Sequence, residues 1–174
     1  KVYNRKIFSA WMNIPQLLKY PSNRKNETFW SALIVIVLIA AFFRFSGLHW
    51  DEGFPYTPHP DERAILMKSR EIEMPPLSKL GTLFNADEST WNPRWFPYGS
   101  FPLYVLEISE NILERMTGTD ITDLRILARS ISVLADLGTI IGIAMLGKAA
   151  FSRRVGLLAA LLISFSVIHI QLAH

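Results

Sequence analysis

Three apolar stretches interrupt an otherwise mixed sequence, and each is long enough to cross a bilayer. The first, FWSALIVIVLIAAFFRFSGL, occupies residues 29–48 and carries one charge, Arg44. Twenty residues rising 1.5 Å each give about 30 Å, the thickness of bilayer hydrocarbon. The pattern therefore predicts a transmembrane helix over 29–48, with Arg44 near enough to one end for its guanidinium to snorkel into the interface. SISVLADLGTIIGIAMLG at 130–147 and VGLLAALLISFSVIHIQLA at 155–173 repeat the pattern. They predict a second span over 125–147 and a third over 155–174, joined by a connector at 148–154. A cleaved signal peptide fits the first stretch poorly. The basic segment before it is long and contains Trp11, and no small-residue cleavage site follows.

Charge sets the orientation. Residues 1–28 hold Lys1, Arg5, Lys6, Lys19, Arg24 and Lys25 against the single acid Glu27, and the connector holds Lys148, Arg153 and Arg154 with no acid. The positive-inside rule assigns both to the cytoplasm, which requires an even number of crossings between them. The spans at 29–48 and 125–147 supply two. Residues 49–124 then form one long outer or lumenal loop, and His174 lies outside as well. The sequence Asn26-Glu27-Thr28 matches a glycosylation acceptor but falls on the cytoplasmic side, where it is not modified.

An additional span over FPLYVLEISENILERM, residues 101–116, would bring Glu107, Glu110 and Glu114 into hydrocarbon at about 2.5–3.5 kcal/mol each near its centre. Their spacing groups them on one face, with Leu103, Leu106, Ile108, Ile112 and Leu113 largely on the others, so an amphipathic helix along the membrane surface is expected instead. Eight prolines from Pro55 to Pro102 confine regular elements in the loop to short pieces. One is a helix from about Asp61 to Glu71, with Pro60 at its edge and Asp61 and Glu62 at the positive end of its dipole. Trp91, Trp95, Phe96 and Tyr98 suit a membrane interface. The expected fold class is an all-α membrane protein with about three transmembrane helices and a long outer loop carrying interfacial helices.

Composition narrows the chemistry. Of 174 residues, 50% are hydrophobic and 19% charged, which excludes a disordered chain, and the absence of cysteine removes disulfide scaffolds, thiol nucleophiles and cysteine zinc sites. The net charge of +3 comes from an excess at one end of an apolar chain, so it points to a membrane surface rather than nucleic acid. Titratable groups are densest in HWDEGFPYTPHPDERAIL, which contains His49, Asp51, Glu52, His59, Asp61, Glu62 and Arg63. Such a group can bind a metal, take a proton from a hydroxyl, or remain solvated, and composition alone does not choose. His59 and Asp61 offer two ligands to a divalent metal, but spacing fixes no others, so no metal residues are assigned.

The order of parts resembles the amino-terminal module of GT-C membrane glycosyltransferases, in the branch of protein O-mannosyltransferases and lipid A aminoarabinose transferases. The resemblance rests on His59, Pro60, Asp61 and Glu62; on Tyr98, Gly99, Pro102, Leu103 and Tyr104; on Arg129 with Ser132; and on residues 151–174. It covers about residues 30–174. It implies transfer of a sugar from a polyprenyl-phosphate donor to a hydroxyl-bearing protein or lipid acceptor, by one inverting displacement at the outer membrane face. The lipid-linked sugar is the one cosubstrate implied, and membrane lipids are the remaining partners.

In that scheme Asp61 is the catalytic base, with Glu62 and His59 beside the substrate, and Arg129 grips the departing phosphate. The bland alternatives are a helix cap for Asp61 and an interfacial anchor for Arg129, whose place Arg125 can also take. The resemblance further implies more spans and a later outer-loop acid, so the chain reads as the amino-terminal part of a longer enzyme in a prokaryotic plasma membrane. Two other readings are a non-enzymatic membrane subunit whose outer loop binds a partner, and a transporter fragment using Asp136. An ionisable residue two turns into a span demands either a role or a buried partner.

Overall fold

The computed structural model describes residues 24–121 and 123–173, so most of the basic segment 1–28, and His174, lie outside the described residues. The elements are α1 (Arg24–Phe45), α2 (Pro60–Ser69), a 3₁₀ segment (Leu77–Phe84), α3 (Phe101–Thr117), α4 (Leu124–Ala150), α5 (Arg153–Ser164) and α6 (Val167–Leu172). No strand occurs among the described residues. Local sequence accounts for several helix ends. Pro60 begins α2, where a missing N–H costs nothing. Gly118 closes α3 in a left-handed conformation, its N–H bonded to the Glu114 carbonyl. The side chains of Asp123 and Ser152 cap α4 and α5 by accepting from the N–H groups of Arg125 and Val155.

Two helices, at Asn26–Phe45 and Leu124–Ala150, are long and apolar enough to cross a membrane. Only 22% of the apolar window in each is buried, unlike the mostly covered core helix of a soluble protein. The exposed remainder includes Leu38, Phe42, Leu134 and Leu146. The predicted third span departs from one continuous helix. It breaks at Phe165 and Ser166 into α5 and α6, of 12 and 6 residues, each shorter than the roughly 20 needed to cross.

One core joins the long helices. Phe29, Leu33, Ile36 and Ala40 recur at helical spacing along α1 and meet Val133, Leu137, Ile140 and Ala144 of α4, with Ala160 of α5 alongside. α4 and α5 form a tight hairpin in which backbone approaches backbone. A Cβ at Gly147 would lie 2.8 Å from the Gly156 Cα, and one at Gly156 would overlap the Ala144 carbonyl. At that end the Lys148 ammonium sits 4.5 Å from the centre of the Phe29 ring and 5.1 Å from that of Trp30.

The α1 stripe continues one turn past Ala40 to Arg44. This residue does not snorkel; it is fully buried and ion-paired with Asp136 of α4, which also bonds His169 Nδ1 of α6 at 2.8 Å. Arg44 Nη1 and Nη2 donate to the Ser164 and Ile163 carbonyls, at 3.1 and 3.4 Å. At the break between α5 and α6 the guanidinium donates to the Ser164 carbonyl and adds a second donor to the Ile163 carbonyl, which also accepts from the Ser166 N–H at 3.0 Å. One buried arginine thus answers both the acid in α4 and the interrupted third apolar segment.

α2 and α3 pack against the start of α4 through Leu66, Leu106 and Leu124. α3 turns Leu103, Leu106 and Glu107 inward and leaves Phe101, Ile108, Ile112 and Met116 exposed along its other side. Glu107 therefore packs with the leucines rather than lying on a solvated acidic face. Asn111 Nδ2 donates to it at 2.9 Å, and burial pushes its carboxyl above the usual range.

Candidate functional site

The loop after α1 runs directly into the site. Arg129, the sixth residue of α4, continues the core stripe one turn beyond Val133 and ends at a cluster of acids. Its Nε and Nη2 donate to Glu62 Oε1 and Oε2 at 2.7 and 2.9 Å. Nη1 and Nη2 donate to Asp51 Oδ1 and Oδ2 at 2.6 and 2.9 Å, and Nη1 also reaches the Leu48 carbonyl at 2.7 Å. A guanidinium carries five N–H donors, and these five bonds use all of them. The side chain is 2% exposed and lies beneath the Trp50 ring, 5.6 Å from its centre.

This saturation limits how Arg129 can take the expected role. A phosphate reaching Arg129 finds every donor occupied and must displace a carboxylate. The immediate function of Arg129 is to tie three segments together: the end of the loop turn at Leu48 and Asp51, the first turn of α2 at Glu62, and α4 itself. Arg125, the expected substitute, is committed too. Its Nε and Nη2 hold Asp123 at 3.0 and 2.9 Å, and Nη1 lies 3.3 Å from Asp51. These partners hold Asp51 below its ordinary range, through the Arg129 hydrogen bond first. Arg125 does the same for Asp123.

Asp61 and Glu62 are adjacent in sequence but separate in environment. Glu62 is clamped, whereas Asp61 is exposed and interacts with the Tyr98 hydroxyl, whose ionisation that carboxylate suppresses. Asp61 does not cap α2. The N-cap is His59, without a side-chain bond, and Asp61 sits in the first turn, where the helix dipole favours an anion. His59, Asp61, Glu62 and Arg129 all line one cleft of about 410 Å³. Its walls come from α2, α3, α4 and α6 and are largely apolar, with Ile65, Val105, Ile131 and Leu172 among them, while Ser132 adds a hydroxyl. All four expected site residues are therefore brought to one place, with Asp61 presenting the carboxylate least engaged by cations.

Sequence reasoning did not single out Asp51 or Tyr98 as site residues. Asp51 is 2% exposed, and its early signal is membership of the titratable cluster at 49–63, three residues beyond the predicted end of an apolar span. Among the described residues no group of three or more His, Cys, Asp or Glu side chains is placed to hold a metal ion. Comparison with family models, curated proteins and solved structures finds no match to this chain.

Proposed function

We propose that this chain is the amino-terminal module of a multi-pass membrane glycosyltransferase of the GT-C type, using a polyprenyl-phosphate sugar and a hydroxyl acceptor. The observation that carries the reading is the exposed Asp61 carboxylate at an apolar cleft beside the end of two helices able to cross a bilayer. An apolar wall suits a lipid-linked donor, and an accessible carboxylate suits proton removal. In the reaction the acceptor oxygen attacks the anomeric carbon, the bond from that carbon to the phosphate oxygen breaks, and Asp61 takes the acceptor's proton. Glu62 and Arg129 hold α2 in place, and the departing phosphate gains Arg129 only by exchange with Glu62, whose side chain is more exposed than that of Asp51.

In the same proposal α1 and α4 cross a prokaryotic plasma membrane with the amino terminus cytoplasmic. The broken α5–α6 segment makes the third crossing, supported by Arg44. The Lys148, Arg153 and Arg154 end is cytoplasmic by the positive-inside rule. α3 rests on the outer surface with Ile108, Ile112 and Met116 toward lipid. The test is sugar transfer by membranes containing the full-length protein. Asp61→Asn is expected to abolish transfer without altering insertion, and near-normal turnover rejects the base assignment.

A second reading, a non-enzymatic subunit whose outer loop binds a partner, is favoured by the exposed Phe96, Tyr98 and Phe101. It predicts that Phe96→Ser breaks an assembly while Asp61→Asn is harmless.

A further inference from the structure

α2 is a partition between two clefts of opposite character. Asp61, Glu62 and Ile65 face the acid-bearing cleft described above. About a quarter of a turn or more around the helix, Arg63, Met67 and, just past its end, Arg70 line a second cleft of about 360 Å³. The loop at 54–57 and the start of α4 complete it. Its charged groups are Arg63, Arg70, Arg125 and Asp123, three guanidinium groups against one carboxylate. That carboxylate is already held by the side chain and backbone N–H of Arg125.

Arg63 and Arg70 are exposed, and among the described residues neither side chain has a hydrogen bond or a close ion pair; Arg63 rests over the Tyr56 ring at 5.6 Å, and Arg70 feels the Glu110 carboxylate at longer range. Each therefore offers five N–H donors in a planar fork. Like charges facing one concavity repel unless an anion lies between them, and the volume is that of a small-ligand cleft rather than a flat surface. Arg125 lines the same cleft, but Asp123 and Asp51 balance its charge, so the uncompensated positive charge comes from Arg63 and Arg70. Two unpaired forks from one side of α2 and its C-terminal end suit the divergent oxygens of a tetrahedral anion better than the two coplanar oxygens of a carboxylate.

We propose that the cleft between the 54–57 loop, α2 and the start of α4 is a phosphate-recognition site, with Arg63 and Arg70 as its principal donors. The phosphate group belongs either to a phospholipid headgroup or to a free phosphate. The proposal does not depend on the transferase reading, because it uses neither Asp61 nor the cleft beside it.

The test uses the full-length protein, delipidated in neutral detergent. Inorganic phosphate is titrated by calorimetry at constant ionic strength, with acetate as the control anion, and retention of phosphatidylglycerol is followed by native mass spectrometry. Arg63→Gln with Arg70→Gln is expected to weaken binding of at least one probe by about tenfold or more. Loss confined to inorganic phosphate identifies a free phosphate as the source, and loss confined to phosphatidylglycerol identifies the headgroup. Failure of both probes to bind, binding unchanged by the double variant, or equal binding of acetate overturns the proposal. If the double variant loses helical circular dichroism, Arg70→Gln alone is measured; it is expected to weaken binding about threefold, and no change is equally fatal.

Discussion

Replacing Arg129 by lysine separates a clamp from a phosphate grip. The arginine makes four bonds to the carboxylates of Asp51 and Glu62 and one to the Leu48 carbonyl. Lysine keeps the charge but has three donors radiating from one atom, so at least two of the five bonds are lost. At about 1.5 kcal/mol for each charge-assisted bond, Arg129→Lys is expected to cost ~3 kcal/mol. Arg129→Met also strands Asp51, leaving the longer Arg125 contact, and moves the loss toward ~5 kcal/mol, the upper end for breaking a buried pair. Unfolding by sodium dodecyl sulfate in mixed micelles, followed by circular dichroism, measures both. A double-mutant cycle should give stronger coupling of Arg129 to Asp51 than to Glu62, because the Asp51 side chain is 3% exposed and that of Glu62 is 16%. If Arg129→Lys lies within about 0.5 kcal/mol of the parent protein, the clamp is refuted. A grip on phosphate without a clamp predicts that outcome together with lost transfer.

Three further perturbations test the rest of the fold. Arg44→Met leaves Asp136 with His169 alone and removes donors from Ile163 and Ser164, so a loss of ~3–5 kcal/mol is expected, largely restored by adding Asp136→Leu; no restoration in the same unfolding assay refutes the pairing. Gly156→Ala forces a methyl into the Ala144 carbonyl and should cost ~1–3 kcal/mol, whereas a neutral result shows that the hairpin is looser than described. Four carboxylates, on Asp51, Asp123, Glu107 and Glu110, make stability depend on pH in two directions. Asp51 and Asp123, held below 3.8, contribute fully above that value, and their contribution is lost as pH falls through their lowered values. Glu107 and Glu110, raised above 4.5 chiefly by burial, bind protons more readily when folded, so stability declines as pH rises from 4.5 through their raised values. Melting followed across pH should peak at roughly pH 4–5, and Glu107→Gln should flatten the neutral-side decline. A steady rise toward pH 8 contradicts these assignments.

Much of the local structure was written in the chain. Long apolar runs over 29–48 and 130–147, each carrying a single charged residue, specify long helices because such segments satisfy their own backbone, and α1 and α4 follow. Pro60, Gly118, Asp123 and Ser152 mark helix ends through effects confined to a few neighbouring residues. The grouping of His59, Asp61 and Glu62 near Arg129 was also within reach, through motif order rather than any measured distance.

Partners were not legible. In a helix that is apolar all round, no face is distinguished, so nothing around Arg44 announced that it continues the Phe29 to Ala40 stripe rather than facing the interface. Its pairing with Asp136 spans 92 positions and depends on α1 and α4 lying side by side. The break after Ser164 is tolerated where that guanidinium meets the Ser164 carbonyl, a condition no local window contains. Likewise, the sequence supplied Arg129 with its charge, but tertiary packing consumed its five donors on Asp51, Glu62 and Leu48 and left Asp61 open. Charge and helical period are properties of residues and their near neighbours; hydrogen-bond saturation is a property of what the folded chain brings within 3 Å.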